Sequence, residues 1–220
     1  MGHVTHADHF PALHEERIAS SDIAGVVVMS LAAVATAWCA YQSSVWGGLQ
    51  ARHYAAASKL RQEAVQQHLE GNQMLALDSS LFTSYVAARA DNKDALANYM
   101  QQRFRPEMKV AMDAWLAKQP LEHVDAPKTP FLMPEYQNKA WVAGREAEAL
   151  ANNEMVEGVH SNHHSETYVL ATVLFAVVLF FAGVGPKLPR PAARRLAFWF
   201  SAGLLVLTLL WMVTLPIAWS

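Results

Sequence analysis

Three stretches of this sequence, Val26 to Trp46, Tyr168 to Val184 and Leu196 to Ala218, contain no Asp, Glu, Lys, Arg or His. Crossing ~30 Å of hydrocarbon takes roughly 17–25 helical residues, and each stretch fits that window. A buried helix of a water-soluble bundle would keep a polar face, and these do not. The reading is therefore three transmembrane helices. Composition agrees: 53% of the residues are hydrophobic and only 16% charged, against about 25% charged in ordinary soluble domains.

The remaining chain divides around the spans. Residues 1–19 form a polar, His-rich tail, and residues 20–46 hold the first transmembrane helix. A long polar domain follows at 47–166. The second helix occupies 167–185, a basic loop 186–195, and the third helix 196–218. The opening MGHVTHADHFPALHEERIAS is polar and acidic, unlike a cleavable signal, so the first span is expected to stay as an anchor. Cys39, the single cysteine, lies inside that span and leaves no intrachain disulfide. The net charge of −2 comes with no basic face, which speaks against nucleic acid as a partner.

Orientation follows from the short loop GPKLPRPAARR. Its Lys187, Arg190, Arg194 and Arg195 belong on the cytoplasmic side, because short loops obey the positive-inside rule. The N-terminus is then inside, and the C-terminus and residues 47–166 are outside. The outer domain carries twelve Lys or Arg, but a segment of that length is translocated largely regardless of charge. Trp38, Tyr41, Trp46, Tyr168 and Trp219 near the outer ends, with Phe198 and Trp199 at the inner end of span three, suit the headgroup level.

Residues 47–166 read as helix nearly throughout, giving an all-α protein with a helical extracytoplasmic stalk. Leu49 to Leu69 continues from the first span. Gly71 and Asn72 mark an expected break, and a helix near Met74 to Arg89 follows. Asp91 is the expected cap of a third helix, and Pro106-Glu107 suits the start of a fourth. Trp115 on that fourth helix is expected to pack near Phe82, Tyr85 or Trp141. The four prolines of PLEHVDAPKTPFLMP make a loop, and Pro134-Glu135 repeats the helix-start signal.

FRPEMKVAMDAWL at 104–116, PKTPFLMPEY at 127–136 and SETYVLATVLFAVVLFFAG at 165–183 together resemble a group of bacterial three-span membrane proteins of uncharacterised function. In that group similar elements precede a closing pair of spans. The resemblance covers roughly residues 40–190. It implies the same topology and a bacterial inner-membrane location, and it brings no activity and no catalytic residue. The histidine clusters lie outside the shared pattern.

Those histidines raise a metal question. His3, His6, His9 and His14 sit on the tail, where a segment that must order itself binds weakly. Glu157, His160 and His164 share one helical face just before span two, and His53 lies one to two turns beyond span one. Together they would suit Zn²⁺ or Cu²⁺, while the same residues also fit a plain wet interface. Catalytic signatures are absent: there is no G-x-S-x-G, phosphate loop or H-E-x-x-H. The acids of the outer domain alternate with Lys and Arg, the pattern of a solvated helix face.

Span one carries the most informative pattern. At 100° per residue Gly25, Met29, Ala32, Thr36, Ala40, Ser43 and Gly47 share one face, and Val27, Leu31, Val34, Trp38, Tyr41 and Val45 the other. Small residues let helix backbones approach in lipid, so the small face is the expected packing face. It meets the other two spans, or it meets a second protomer or lines a path. The functional expectation is a non-enzymatic membrane protein, an oligomeric scaffold or accessory subunit of a membrane complex, with membrane lipid around its spans. An oligomeric channel or transport component is the alternative, and periplasmic metal binding a third. The spans hold no ionisable residue, which argues against a pump.

Overall fold

One helix, α1, runs from Ser20 to Ala90 without interruption. It passes straight through Gly71 and Asn72, where a break was expected. Both residues serve Trp141: Gly71 leaves the space that the indole fills, and the Asn72 side-chain oxygen accepts its Nε1–H at 3.2 Å. The computed structural model describes residues 20–120 and 125–219. Its other helices are α2 (Asp94–Gln101), α3 (Pro106–Leu116), α4 (Lys139–Val184) and α5 (Pro191–Val213), with 3₁₀ turns at Pro130–Leu132 and Gly185–Lys187. No strand occurs among the described residues. The tail histidines at 3, 6, 9 and 14 lie outside them. α1, α4 and α5 are each long and apolar enough to cross a membrane, as a multi-pass membrane protein requires.

The chain divides into two compact units. Unit one is described over residues 20–48 and 161–219. Its core joins Val28, Ala32, Ala35 and Cys39 of α1 to Tyr168, Ala171, Phe175, Val178 and Ala182 of α4 and Leu205 of α5. Val34 on the far face of α1 is 70% exposed, as a lipid-facing residue should be.

The packing face of α1 differs from its sequence projection. Gly25 and Ala32 are buried and Thr36, Ser43 and Gly47 half-buried, but Ala40 is exposed. The buried line is Gly25, Val28, Ala32, Ala35, Cys39 and Gln42. Its alternating steps of three and four average 3.5 residues per turn, the period of left-handed helix packing. A straight 3.6-residue wheel drifts off that line over several turns. Thr36 returns its hydroxyl to the Ala32 carbonyl at 2.7 Å, so it adds little polarity to the seam.

Span three also ends earlier than its apolar run. α5 stops at Val213, and residues 214–219 are not helical. Pro216 cannot donate a helical hydrogen bond and disfavours helical geometry at Leu215.

Unit two spans residues 49–160. On α1 every seventh residue, Ala57, Ala64, Gly71, Asp78 and Tyr85, is buried. On α4 the buried residues are Ala140, Gly144, Ala147, Ala151 and Gly158. Glycines on both helices face rings: Gly71 meets Trp141, Gly144 meets His68, and Gly158 meets Tyr54. The numbers fall on α1 as they rise on α4, so the pair is antiparallel and keeps one register.

α1 ends at Ala90, and in the turn after it Asn92, with a positive φ of 59°, lets the Lys93 N–H reach the Ala88 carbonyl at 2.9 Å. Asp91 therefore does not cap the next helix. It pairs with Lys93 at 2.9 Å, and α2 opens at Asp94. α3 opens at Pro106 as expected, and α4 opens at Lys139, later than Pro134. Its cap is Asn138, whose side-chain oxygen accepts the N–H groups of Ala140 and Trp141 while its amide donates to the Gly71 carbonyl. Around α2 and α3 an aromatic and methionine core forms from Tyr85, Phe104, Met108, Met112, Trp115 and Met133. Trp115 meets Phe82 edge to face at 5.3 Å and donates its Nε1–H to the Pro127 carbonyl.

The glycine seam makes a contrast that a melt can read. Gly71→Ala drives a methyl into the Trp141 ring and should cost about 1–3 kcal/mol. Gly48→Ala meets nothing within 4 Å and should be neutral or stabilising by up to ~1 kcal/mol. Denaturation of both variants in detergent checks the pair; equal losses would remove the close approach at Gly71.

Candidate functional site

Polar chemistry in unit two converges on Asp78. It occupies a seam position of α1, one heptad beyond Gly71, and it is fully buried. Arg105 reaches it with both arms of its guanidinium, Nε to Oδ1 at 3.2 Å and Nη2 to Oδ2 at 2.6 Å. Tyr136 donates its hydroxyl to Oδ2 at 2.9 Å. Arg105 precedes Pro106, and the proline ring holds the residue before it extended; Arg105 accordingly sits at φ −59°, ψ 154°. The network continues outward, with Arg105 Nη1 3.7 Å from Glu107 Oε2 and Lys139 Nζ 3.2 Å from Glu107 Oε1.

The electrostatics follow the contacts. The hydrogen bond to Asp78 holds the Arg105 guanidinium charged more firmly than usual. Burial, and then the bond to Asp78, raise the Tyr136 hydroxyl above its ordinary value. It is a donor at neutral pH, and no base. Glu107 is held below the usual carboxylate range, first by its own backbone N–H in the opening turn of α3 and then by Lys139. The two oxygens of Asp78 are both engaged and shut from water, so the arrangement acts as a latch. It joins α1, the start of α3 and the segment before α4, and it leaves no open carboxylate for acid–base work.

The histidine readings resolve differently. His53 directs Nδ1 at Glu154 Oε2, 2.7 Å away, and does not meet Glu157. Gly158 turns into the seam to receive Tyr54, and that register leaves Glu157 and His160 exposed. His164, in unit one, lies tilted against Trp46 with ring centroids 4.5 Å apart. Among the described residues no three His, Cys, Asp or Glu side chains assemble as metal ligands. The Zn²⁺ or Cu²⁺ expectation for His53, Glu157, His160 and His164 gains no donor set from this arrangement.

Unit one has its own buried polar group, Gln42. Its Nε2 donates to the Ala218 carbonyl at 3.3 Å, and its Oε1 accepts the Ala218 N–H at 3.0 Å. Trp46 Nε1 and the Tyr168 hydroxyl both donate to the Pro216 carbonyl, at 3.2 and 3.1 Å. The non-helical segment after α5 is thus held by side chains of α1 and α4. Backbone groups freed near hydrocarbon must find partners, and here they do.

Sequence reading passed over both clusters. For Gln42 the signal was an amide inside an otherwise apolar span. For the latch it was a lone acid at the seam spacing of Gly71 and Tyr85, together with FRPE and MPEY, which supply Arg105 and Tyr136. No protein-family model matches the chain, and no curated protein or solved structure matches it.

Two measurements test the latch. Arg105→Ala strands a buried charge and should destabilise by about 3 kcal/mol, the low end for a buried pair because Arg105 is partly exposed; Asp78→Leu with Arg105→Met should recover much of that. A double variant no more stable than the single one would count against the latch. The second is a pH series. Glu107 has a depressed folded pKa, so its stabilisation is full above its ordinary value of 4.5 and lost as pH falls through the folded value. The melting difference between the parent and Glu107→Gln should therefore shrink on acidification below that value, and a pH-independent difference would reject the assignment.

Proposed function

We propose that this chain is a non-enzymatic protein of the bacterial inner membrane, an oligomeric scaffold or an accessory subunit of a membrane complex, which engages its partner through unit two on the extracytoplasmic side. One observation carries the reading. The seam between α1 and α4 in unit two is built from alanine and glycine, whereas large aliphatic residues of the same helices point outward. Val65, Leu69, Leu150, Val156 and Val159 are each more than half exposed. An isolated helix pair in water would place them the other way round, since burying each removes roughly 1.5–3 kcal/mol of apolar exposure. Val65 also borders a groove with Tyr54, Arg61 and Met155, a seat for side chains of a neighbouring helix.

The orientation rests on Lys187, Arg190, Arg194 and Arg195, all exposed around the short link from α4 to α5. The channel alternative has less support. The span hydroxyls of Ser30, Thr36, Ser201 and Thr208 bond carbonyls of their own helices, and Gln42 is closed by Ala218.

Native mass spectrometry of the full chain, parent against Val65→Asp with Val156→Asp, is the test. The variant should lose its oligomer or co-purifying subunit while its melting temperature holds. Unchanged stoichiometry would overturn the interface. In a Cys39→Ser background, a cysteine at Lys128 should react with an impermeant reagent from outside and one at Lys187 should not; the reverse would overturn the orientation.

A further inference from the structure

At one end of unit one the three spans leave a cleft of about 430 Å³. Its walls are apolar or small, with Gly25 of α1, Phe181 and Ala182 of α4, and Phe198 of α5. Arg194 and Arg195, in the opening turns of α5, line the same cleft and are both exposed. Arg194 is braced, its Nε donating to the Leu188 carbonyl at 2.9 Å, so that the guanidinium has a defined position.

Neither arginine, nor Lys187 or Arg190 beside them, forms an ion pair among the described residues. No Asp or Glu follows Glu166 in the sequence, so neither α5 nor the link before it carries an acid of its own. Elsewhere Arg89 pairs with Asp94, Lys93 with Asp91 and Arg105 with Asp78, while other cations such as Arg52 and Lys59 form no ion pair among the described residues but are spread along α1. Four cations therefore lie in one short stretch where three apolar helices end.

We infer that this cleft is a binding site for an anionic phospholipid of the surrounding leaflet, with the phosphate on Arg194 and Arg195 and an acyl chain against Phe181 and Phe198. The charge complements a phosphate, which a planar guanidinium fork meets with two parallel hydrogen bonds. The apolar walls and the position at the ends of the spans complement a chain tethered to that phosphate, so the ligand comes from the membrane rather than from solution. Gly25 and Ala182 supply the space. The inference rests on the spans alone and stands apart from the oligomer interface proposed for unit two.

The experiment reconstitutes the full chain in nanodiscs of phosphatidylcholine, with or without phosphatidylglycerol, and reads lipid retained in native mass spectra together with the melting temperature. The parent should retain phosphatidylglycerol in preference to phosphatidylcholine and melt higher in its presence. Each of Arg194→Gln and Arg195→Gln should cut that preference about fivefold. Gly25→Leu, whose Cβ meets nothing within 4 Å, fills the cleft while leaving the arginines in place, and should lower retention as well. It also decides the matter if an arginine variant fails to fold. No preference in the parent would overturn the inference. Full retention in Gly25→Leu would reduce the site to surface charge and overturn the cleft. Equal stabilisation by inorganic phosphate in phosphatidylcholine would overturn the lipid.

Discussion

A carboxylate with no access to water must be met by a cation and by donors for its lone pairs, and Asp78 imposes that demand on all of unit two. The cost of burying an ion is several kcal/mol, and a single residue could not offset it. Arg105 supplies charge and geometry together, and Tyr136 occupies the oxygen edge that remains. Satisfying Asp78 thus brings together a helix of 71 residues, the start of α3 and the segment leading to α4. Once these are joined, Trp115, Phe82, Phe131 and Tyr136 meet edge to face in succession. The aromatic core buries apolar area, and the ion pair together with Tyr136 ties the three segments together.

The two units use small residues for different reasons. Within unit one there is little hydrophobic drive between helices in lipid, so association depends on close backbone approach and on hydrogen bonds. Ala32, Ala35 and Ala171 allow the approach, and Gln42 with the segment after α5 supplies the bonds. Within unit two the glycines receive rings, with Trp141 on Gly71 and Tyr54 on Gly158. A ring seated on a glycine buries much area and tolerates no slip, which sets the register of the antiparallel pair. That register then directs His53 to Glu154 and turns Val65, Leu69 and Val156 outward.

Both proposals draw on residues left over when internal packing is complete. Outward aliphatics on a helix pair are an unused apolar surface, and four cations without an ion pair among the described residues, at the end of three spans, are an unused charge. The first is suited to a protein partner and the second to a lipid headgroup. Neither needs a reactive group, in keeping with a latch whose acid is fully engaged.

The sequence by itself determined the three spans, because a hydrocarbon interior excludes charge and a run free of Asp, Glu, Lys, Arg and His is visible at sight. It determined the start of α3 as well, since Pro106 and Glu107 act on their own backbone, and of the rings it offered Trp115 (Phe82, Tyr85 or Trp141) Phe82 is the one that meets it edge to face. Where local signals were read as if local structure were all, tertiary contacts decided otherwise. Gly71 looked like a break and is a seat for Trp141. Asp91 looked like a cap, whereas Asn92 had already turned the chain. Ala40 lay on the small face of a straight wheel and is exposed, because packed helices follow a 3.5-residue seam. The meeting of Asp78, Arg105 and Tyr136 could not be read locally at all, as these residues lie 27 and 58 positions apart from the acid and only the folded chain makes them neighbours. Periodicity and charge are properties of adjacent residues, whereas the partner of a buried ion is a property of the fold.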